Sequence, residues 1–161
     1  MDVIYLLVDA ALVFGLAVWM VVAVADNWRH PQLNEEAVAM VLRFDFMARD
    51  YPAEYQHVAY RRIDDPVTIR RMFQAIRAAE TLAALALLIS GTALVLAAFG
   101  AISVDVATAM AVLSAAFFSL VWAGFVIGGN YFAYWYSHQW GQSNHFMLMF
   151  WGFFVLLVLL V

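Results

Sequence analysis

Polar and apolar positions along this chain segregate into long blocks rather than alternating. Val3 to Ala25 is apolar apart from Asp9, and neither Thr81–Ile102 nor Val106–Gly129 contains a charge. A fourth block, Phe146–Val161, is shorter but aliphatic and aromatic throughout. A bilayer core of about 30 Å needs ~20 helical residues. The blocks therefore predict four transmembrane helices, at residues 3–26, 66–100, 104–139 and 144–161. The last reaches across only if its first turn starts at Asn144.

Between the first two blocks the period changes. In "NEEAVAMVLRFDFMARDY" the residues Ala37, Met40, Val41, Phe44, Met47, Ala48 and Tyr51 recur at helical spacing, with Arg43, Arg49 and Asp50 off the stripe. This predicts an amphipathic interfacial helix at residues 34–50, N-capped by Asn34 and stopped by Pro52. Asp65 and Pro66 form a second start signal, as N-cap and first helical residue. Nothing interrupts the pattern from there to Gly91, so the second transmembrane helix should begin beyond the bilayer. The short "GAISVD" connection makes helices two and three antiparallel neighbours. Helix three places Ala107, Ala111, Ala115, Ser119 and Ala123 at every fourth position, a face suited to close helix approach in lipid. Ala79, Ala83, Ala86 and Ser90 offer a matching seam on helix two. There is no internal repeat or linker, and the fold class expected is a single all-α integral membrane domain, a four-helix bundle with an interfacial helix.

Composition agrees with that class. The chain of 161 residues is 66% hydrophobic and 12% charged, against roughly 25% charged in soluble domains. Cysteine is absent, which excludes disulfides, thiolate metal sites and thiol catalysis. All eight basic residues are arginines, and they lie between Arg29 and Arg77. The positive-inside rule then puts the segment joining helices one and two on the cytoplasmic side of the membrane, with both termini outside. Acidic residues nearly balance the arginines there, which argues against nucleic acid as a partner. Asp2 and the length of the first block mark helix one as an uncleaved anchor rather than a signal peptide.

Candidate chemistry is sparse. Asp9 and Glu80 are acids within apolar spans, and an intramembrane carboxylate is a functional candidate by default. Glu80 lies near the inner end of helix two, where Arg77 can pair with it and Asn130 and Gln142 reach similar depth. It is either a proton-accepting or ligand-fixing carboxylate or a hydrogen-bond anchor between helices. His30, His57, His138 and His145 all fall on the cytoplasmic side, and no pair has metal-site spacing. No phosphate loop or catalytic constellation is present, so neither an enzyme, nor a metal, nor a resident cofactor is predicted.

The uncharged stretch "GGNYFAYWYSHQWGQSNHF", residues 128–146, suits either an aromatic belt or a pocket. Tyr131, Trp135 and His138 fall at i, i+4 and i+7, as on one face of a continuing helix. Gly141 reads as its C-cap and Ser143 or Asn144 as the next N-cap, leaving a loop only at Trp140 to Ser143. The rings are expected to pack on Ile69, Phe73 and the interfacial helix, and Glu80, Asn130, His138 and Gln142 to form a candidate polar cluster.

With "DN" at 26–27, "MVLRFD" at 40–45, Glu80 and "GGNYFAYWYSHQWGQ" in this order, the chain resembles an uncharacterised bacterial family of predicted small integral membrane proteins over roughly residues 20–150. The family pattern carries an acid after Gly-Gly, where this chain has Asn130. The resemblance implies the same architecture and a pairing of Glu80 with the aromatic block, and names no substrate. The function expected is a small non-catalytic accessory or scaffold subunit of a larger inner-membrane complex, its partners the bilayer and other integral membrane subunits. A redox-associated subunit binding a quinone or heme near the cytoplasmic interface is the alternative, and a small-solute transporter or channel the third.

Overall fold

The structure, a computed structural model, describes residues 2–161 and is helical throughout, with four helices long and apolar enough to cross a membrane. These are α1 (Val3–Arg29), α5 (Pro66–Ala98), α6 (Val104–Tyr131) and α8 (Gln139–Leu159). At about 1.5 Å per residue the shortest, α8 with 21 residues, still extends roughly 32 Å. Between α1 and α5 lie three short helices, α2 (Pro31–Leu42), α3 (Asp45–Asp50) and α4 (Pro52–Val58), and a 3-10 turn at Ala59–Arg61. The four-residue α7 (Tyr134–Ser137) separates α6 from α8.

The long helices pack in an antiparallel square: α1 on α5, α5 on α6, α6 on α8, and α8 back against α1. α5 and α8 occupy opposite corners. Small residues set the spacing, as expected where lipid offers no hydrophobic drive to association. A Cβ on Gly91 of α5 would lie 2.9 Å from the Phe14 ring of α1. On α8, Gly152 lies against Ser119 and Phe118 of α6. Ala107, Ala111, Ala115 and Ser119 are buried on α6, and Ala123 is partly buried. The seam on α5 closes through Ser90, which shares a 2.7 Å hydrogen bond with Ser114. Trp19 reaches across the diagonal to Trp122 at 5.2 Å between ring centroids, edge to face. Large apolar side chains such as Leu113, Ile127 and Phe154 point outward instead, as a lipid-facing surface requires.

Asp65 caps α5 as expected, accepting from the Thr68 amide at 2.9 Å and the Thr68 hydroxyl at 2.6 Å. That helix ends at Ala98, two residues short of Gly100, which takes φ +74°. All three prolines start helices, where a missing N–H costs nothing: Pro31 in α2, Pro52 in α4 and Pro66 in α5.

The predicted helix at 34–50 is two helices. α2 starts at Pro31, so Asn34 is in its first turn rather than the N-cap, with its Nδ2 3.3 Å from Asp26. It breaks at Phe44, which adopts a left-handed φ of 56°. The strain is offset by burial: the Phe44 ring is 2% exposed and packs on Tyr55 and Phe132. The third transmembrane helix likewise stops eight residues before the expected 139, at Tyr131. Ala133 turns the chain with φ 55°, so Phe132 packs on Ala39, Leu42 and Ile69 while Tyr134 folds back on Gly129. Gly141 and the expected loop at Trp140 to Ser143 are therefore inside α8, which begins at Gln139. Tyr131, Trp135 and His138 do not share a helical face; Tyr131 lies under Arg61, Trp135 on Phe146, and His138 on Phe46.

The short helices and α7 together form a cap over one end of the bundle. Tyr51 meets Tyr136 at 5.4 Å, and Arg61 donates to the Tyr131 carbonyl at 3.0 Å. Arg62 is held charged by Asp64 at 2.7 Å and by Tyr55, and it donates to the Arg43 carbonyl at 2.7 Å. The same guanidinium keeps the Asp64 carboxyl below its ordinary range. Both chain ends lie at the opposite end of the bundle from this cap.

Candidate functional site

Glu80 is one of the few polar side chains in the buried interior, and its partner comes from α1. Asn27 Nδ2 donates to Glu80 Oε2 at 2.6 Å. One residue along each helix, Trp28 Nε1 donates to Thr81 Oγ1 at 3.2 Å, and that hydroxyl donates to the Arg77 carbonyl at 2.6 Å. Arg77 does not pair with Glu80. Its guanidinium stacks over Trp28 at 4.0 Å and lies near Phe73 at 5.6 Å, a cation–π arrangement that uses the flat ion better than a local contact does. Asn27 and Trp28 on α1 and Arg77, Glu80 and Thr81 on α5 tie the cap ends of these helices together. Asn27 was the residue whose role the sequence left unread, although the polar "DN" at the end of the first block was its visible signal.

A second polar group lies between α6 and α8. Gln142 is 1% exposed, and its Nε2 donates to the Val126 carbonyl at 3.0 Å. Its Oε1 lies against Gly129, where a Cβ would collide with it and with the Tyr134 ring. Gly129 is therefore a glycine because Gln142 needs the space. Gln142 Oε1 has no hydrogen-bond partner, nor does Nε1 of Trp122, a residue 4% exposed, nor does Nδ1 of the half-buried His145. The His145 ring lies 4.7 Å from Phe125, 5.6 Å from Trp122 and 6.0 Å from Tyr134, measured between centroids. Burial pushes the Tyr134 phenol above its ordinary range, so the ring carries its proton at neutral pH.

The four residues expected to cluster do not meet. Glu80 and Gln142 lie on opposite corners of the bundle, Asn130 is exposed, and His138 caps α8 among aromatic rings. His138 stacks on Phe46 at 5.3 Å and tilts against Tyr134 at 5.2 Å; burial there lowers its proton affinity. Asp9 is buried on α1 three turns from Met20, far toward the end that carries the termini. Among the described residues, no three His, Cys, Asp or Glu side chains converge in a way that could hold a metal ion.

An apolar groove of about 510 Å³ opens between α5 and α6 beneath α2. Its floor is made by missing side chains: a Cβ on Gly124 or Gly128 would meet nothing within 4 Å, and Ala75 and Ala79 face them from α5. Met72, Val38 and Phe132 close its cap end, and Tyr134 supplies its polar edge. Sequence reasoning followed the alanines of α6 and missed these two glycines, whose spacing of four was the available signal. A smaller cleft of about 330 Å³ lies on α8, between Gln139, Trp140, Ser143, Asn144 and Met147.

No curated protein and no solved structure matches the chain. One family does, described as "Predicted small integral membrane protein (DUF2165)", and its match runs from residue 5 to residue 161. With four membrane-capable helices and a match spanning nearly the whole chain, the protein belongs to that family of small integral membrane proteins.

Proposed function

We propose that the protein is a non-catalytic accessory subunit of a larger complex in a bacterial inner membrane, with the arginine-bearing cap in the cytoplasm and both termini outside. The observation that carries this reading is the uncovered face at the start of α8. Trp140 is 84% exposed there, beside Gln139, Ser143, Asn144 and Met147, and no charged side chain from the cap reaches over it. Trp135 and Tyr136, in α7 just before it, are about half exposed. Exposed tryptophan and tyrosine with short polar neighbours are what the centres of protein interfaces are built from. The orientation follows from the arginines, confined to residues 29–77.

A photo-crosslinker at position 140, activated in native membranes, tests the subunit reading. The expected product is one or a few membrane proteins that also co-purify in fixed ratio in mild detergent, a ratio lost in Trp140→Ala. Recovery of only the free chain, with crosslinks to lipid alone, overturns it.

A further inference from the structure

We propose that the groove between α5 and α6 holds one acyl chain of a membrane phospholipid whose phosphate pairs with Arg71. The inference needs only that the long helices cross a bilayer, and it is independent of the partner face of α8.

The lining selects the class of ligand. Apart from the Tyr134 hydroxyl, its side chains offer only hydrocarbon, aromatic rings and one thioether, so a methylene chain finds contact on every side and a polar molecule finds almost none. Depth selects further. The stacked side chains of Arg77 and Trp28 mark the membrane boundary on another face of α5, level with Ile76 and Ala79 of the groove. From Gly128 inward to Phe117 the groove follows α6 for roughly 16 Å at about 1.5 Å per residue. That is one leaflet's share of a hydrocarbon core about 30 Å thick, and too short to seat a helix that crosses the whole membrane. Val38, Leu42 and Phe132 close the cap end, so entry is from the lipid side. The bare floor is particular to this place. Each of the other five glycines inside helices is met within 4 Å by a side chain, whereas Gly124 and Gly128 meet nothing. A plain lipid-facing surface would carry large residues there, as Leu113 and Ile127 do on the same helix.

Charge supplies the second half of the site. Arg71 lies one turn toward the cap from Ala75, on the helical row that continues through Ala75 and Ala79 of the groove. Among the described residues, Arg43, Arg49, Arg62 and Arg70 pair with acids, and Arg61 and Arg77 lie over aromatic rings. Arg71 does neither. Asp65 is near enough to feel its charge, but that carboxylate is taken up by the amide and hydroxyl of Thr68. Arg29 is the other arginine without such a partner, and α1 contributes nothing to the groove. Arg71 stands roughly 9 Å beyond Arg77 along α5, and its long side chain can reach back to the headgroup level. An exposed guanidinium there matches the phosphate of a phospholipid with two parallel N–H donors. One molecule then meets both features, with its chain on the glycine floor and its phosphate on Arg71.

The test uses the whole chain in phosphatidylcholine vesicles containing phosphatidylglycerol with a diazirine midway along one acyl chain. After illumination and digestion, labels should concentrate at Ala79, Leu120 and Gly124 rather than at Val22 of α1 or Phe154 of α8, which are as exposed as Leu120. Groove labelling should saturate as the mole fraction of the probe rises. Gly128→Leu, which fills the floor, should abolish the groove labels and leave those at Val22 and Phe154 unchanged. Arg71→Gln should weaken binding roughly fivefold, and Arg71→Lys, which keeps the charge, by less. Circular dichroism and a monodisperse elution profile verify that each variant folds; Gly124→Leu stands in where Gly128→Leu does not. Labels spread evenly over the lipid-facing helices, labelling without saturation, or groove labels unchanged in a folded groove-filling variant or in Arg71→Gln overturn the site. So does a photo-crosslinker at position 120 that joins protein instead of lipid in native membranes, whatever is captured at position 140.

Discussion

Glu80 shows how a single partner decides what a buried acid does. Its carboxylate accepts from Asn27 across the α1–α5 seam, so its removal leaves a part-buried amide without that acceptor. Glu80→Ala is expected to lower stability by about 1–3 kcal/mol, and Glu80→Gln, which keeps an accepting oxygen, by well under that range. Thermal unfolding in detergent separates the two; equal losses for both would mean that the charge rather than the hydrogen bond holds the seam. The acid itself was legible in the sequence because it interrupts an apolar span. Its partner was not, since the pairing depends on the register of two antiparallel helices 53 residues apart. The same reason hid the Gln142 environment. A glutamine in an aromatic stretch reads as interfacial, and only the approach of α8 to Gly129 shows it to be buried.

At the scale of elements, the long helices were readable almost to their ends, because apolar length and the Asp65-Pro66 start are local properties. The breaks at Phe44 and Ala133 were not. Neither residue favours a left-handed conformation; Phe44 is held there by its packing on Phe132, and Ala133 lies between that ring and Tyr134, which folds on Gly129. That dependence makes the α3–α7 contact sensitive to acid. His138 is buried against Phe46 and Tyr134, and its pKa lies below the ordinary 6.5. Above that value neither the folded nor the unfolded form is protonated and the histidine has no effect on stability. As pH falls through 6.5 the unfolded form takes up a proton that the folded form resists, so the contact weakens. Hydrogen exchange of residues 45–50 and 134–138 should therefore rise between pH 7 and pH 5 beyond the intrinsic chemical trend. His138→Phe should remove the excess; an unchanged excess would assign the effect to another group.

For the whole molecule, four crossings would put the termini on one side, and the orientation proposed from the arginines puts that side outside. The absence of cysteine makes this easy to measure. Single cysteines at Asp2 and at Glu54, both exposed, should react from opposite sides of right-side-out vesicles. An impermeant maleimide is expected to label position 2 and spare position 54; the reverse pattern would invert the proposed orientation. The bundle and its four membrane-capable helices were visible as apolar blocks. The square order of the helices was not, because small residues occur on several faces and only their pairing selects among them.

The cap also has a consequence for the order of synthesis. Arg61 binds the carbonyl of Tyr131, a residue made 70 positions later. At ribosomal speeds of about 5–20 residues per second, α2 to α4 wait roughly 4–14 s before their counterpart emerges. During that interval the Phe44 and Met47 side chains have no roof, while α5 and α6 are still being handed to the lipid. Closure of the cap thus reports that the third crossing has been inserted, and a nascent chain arrested before Tyr131 should leave residues 31–61 open to protease where the finished chain is resistant.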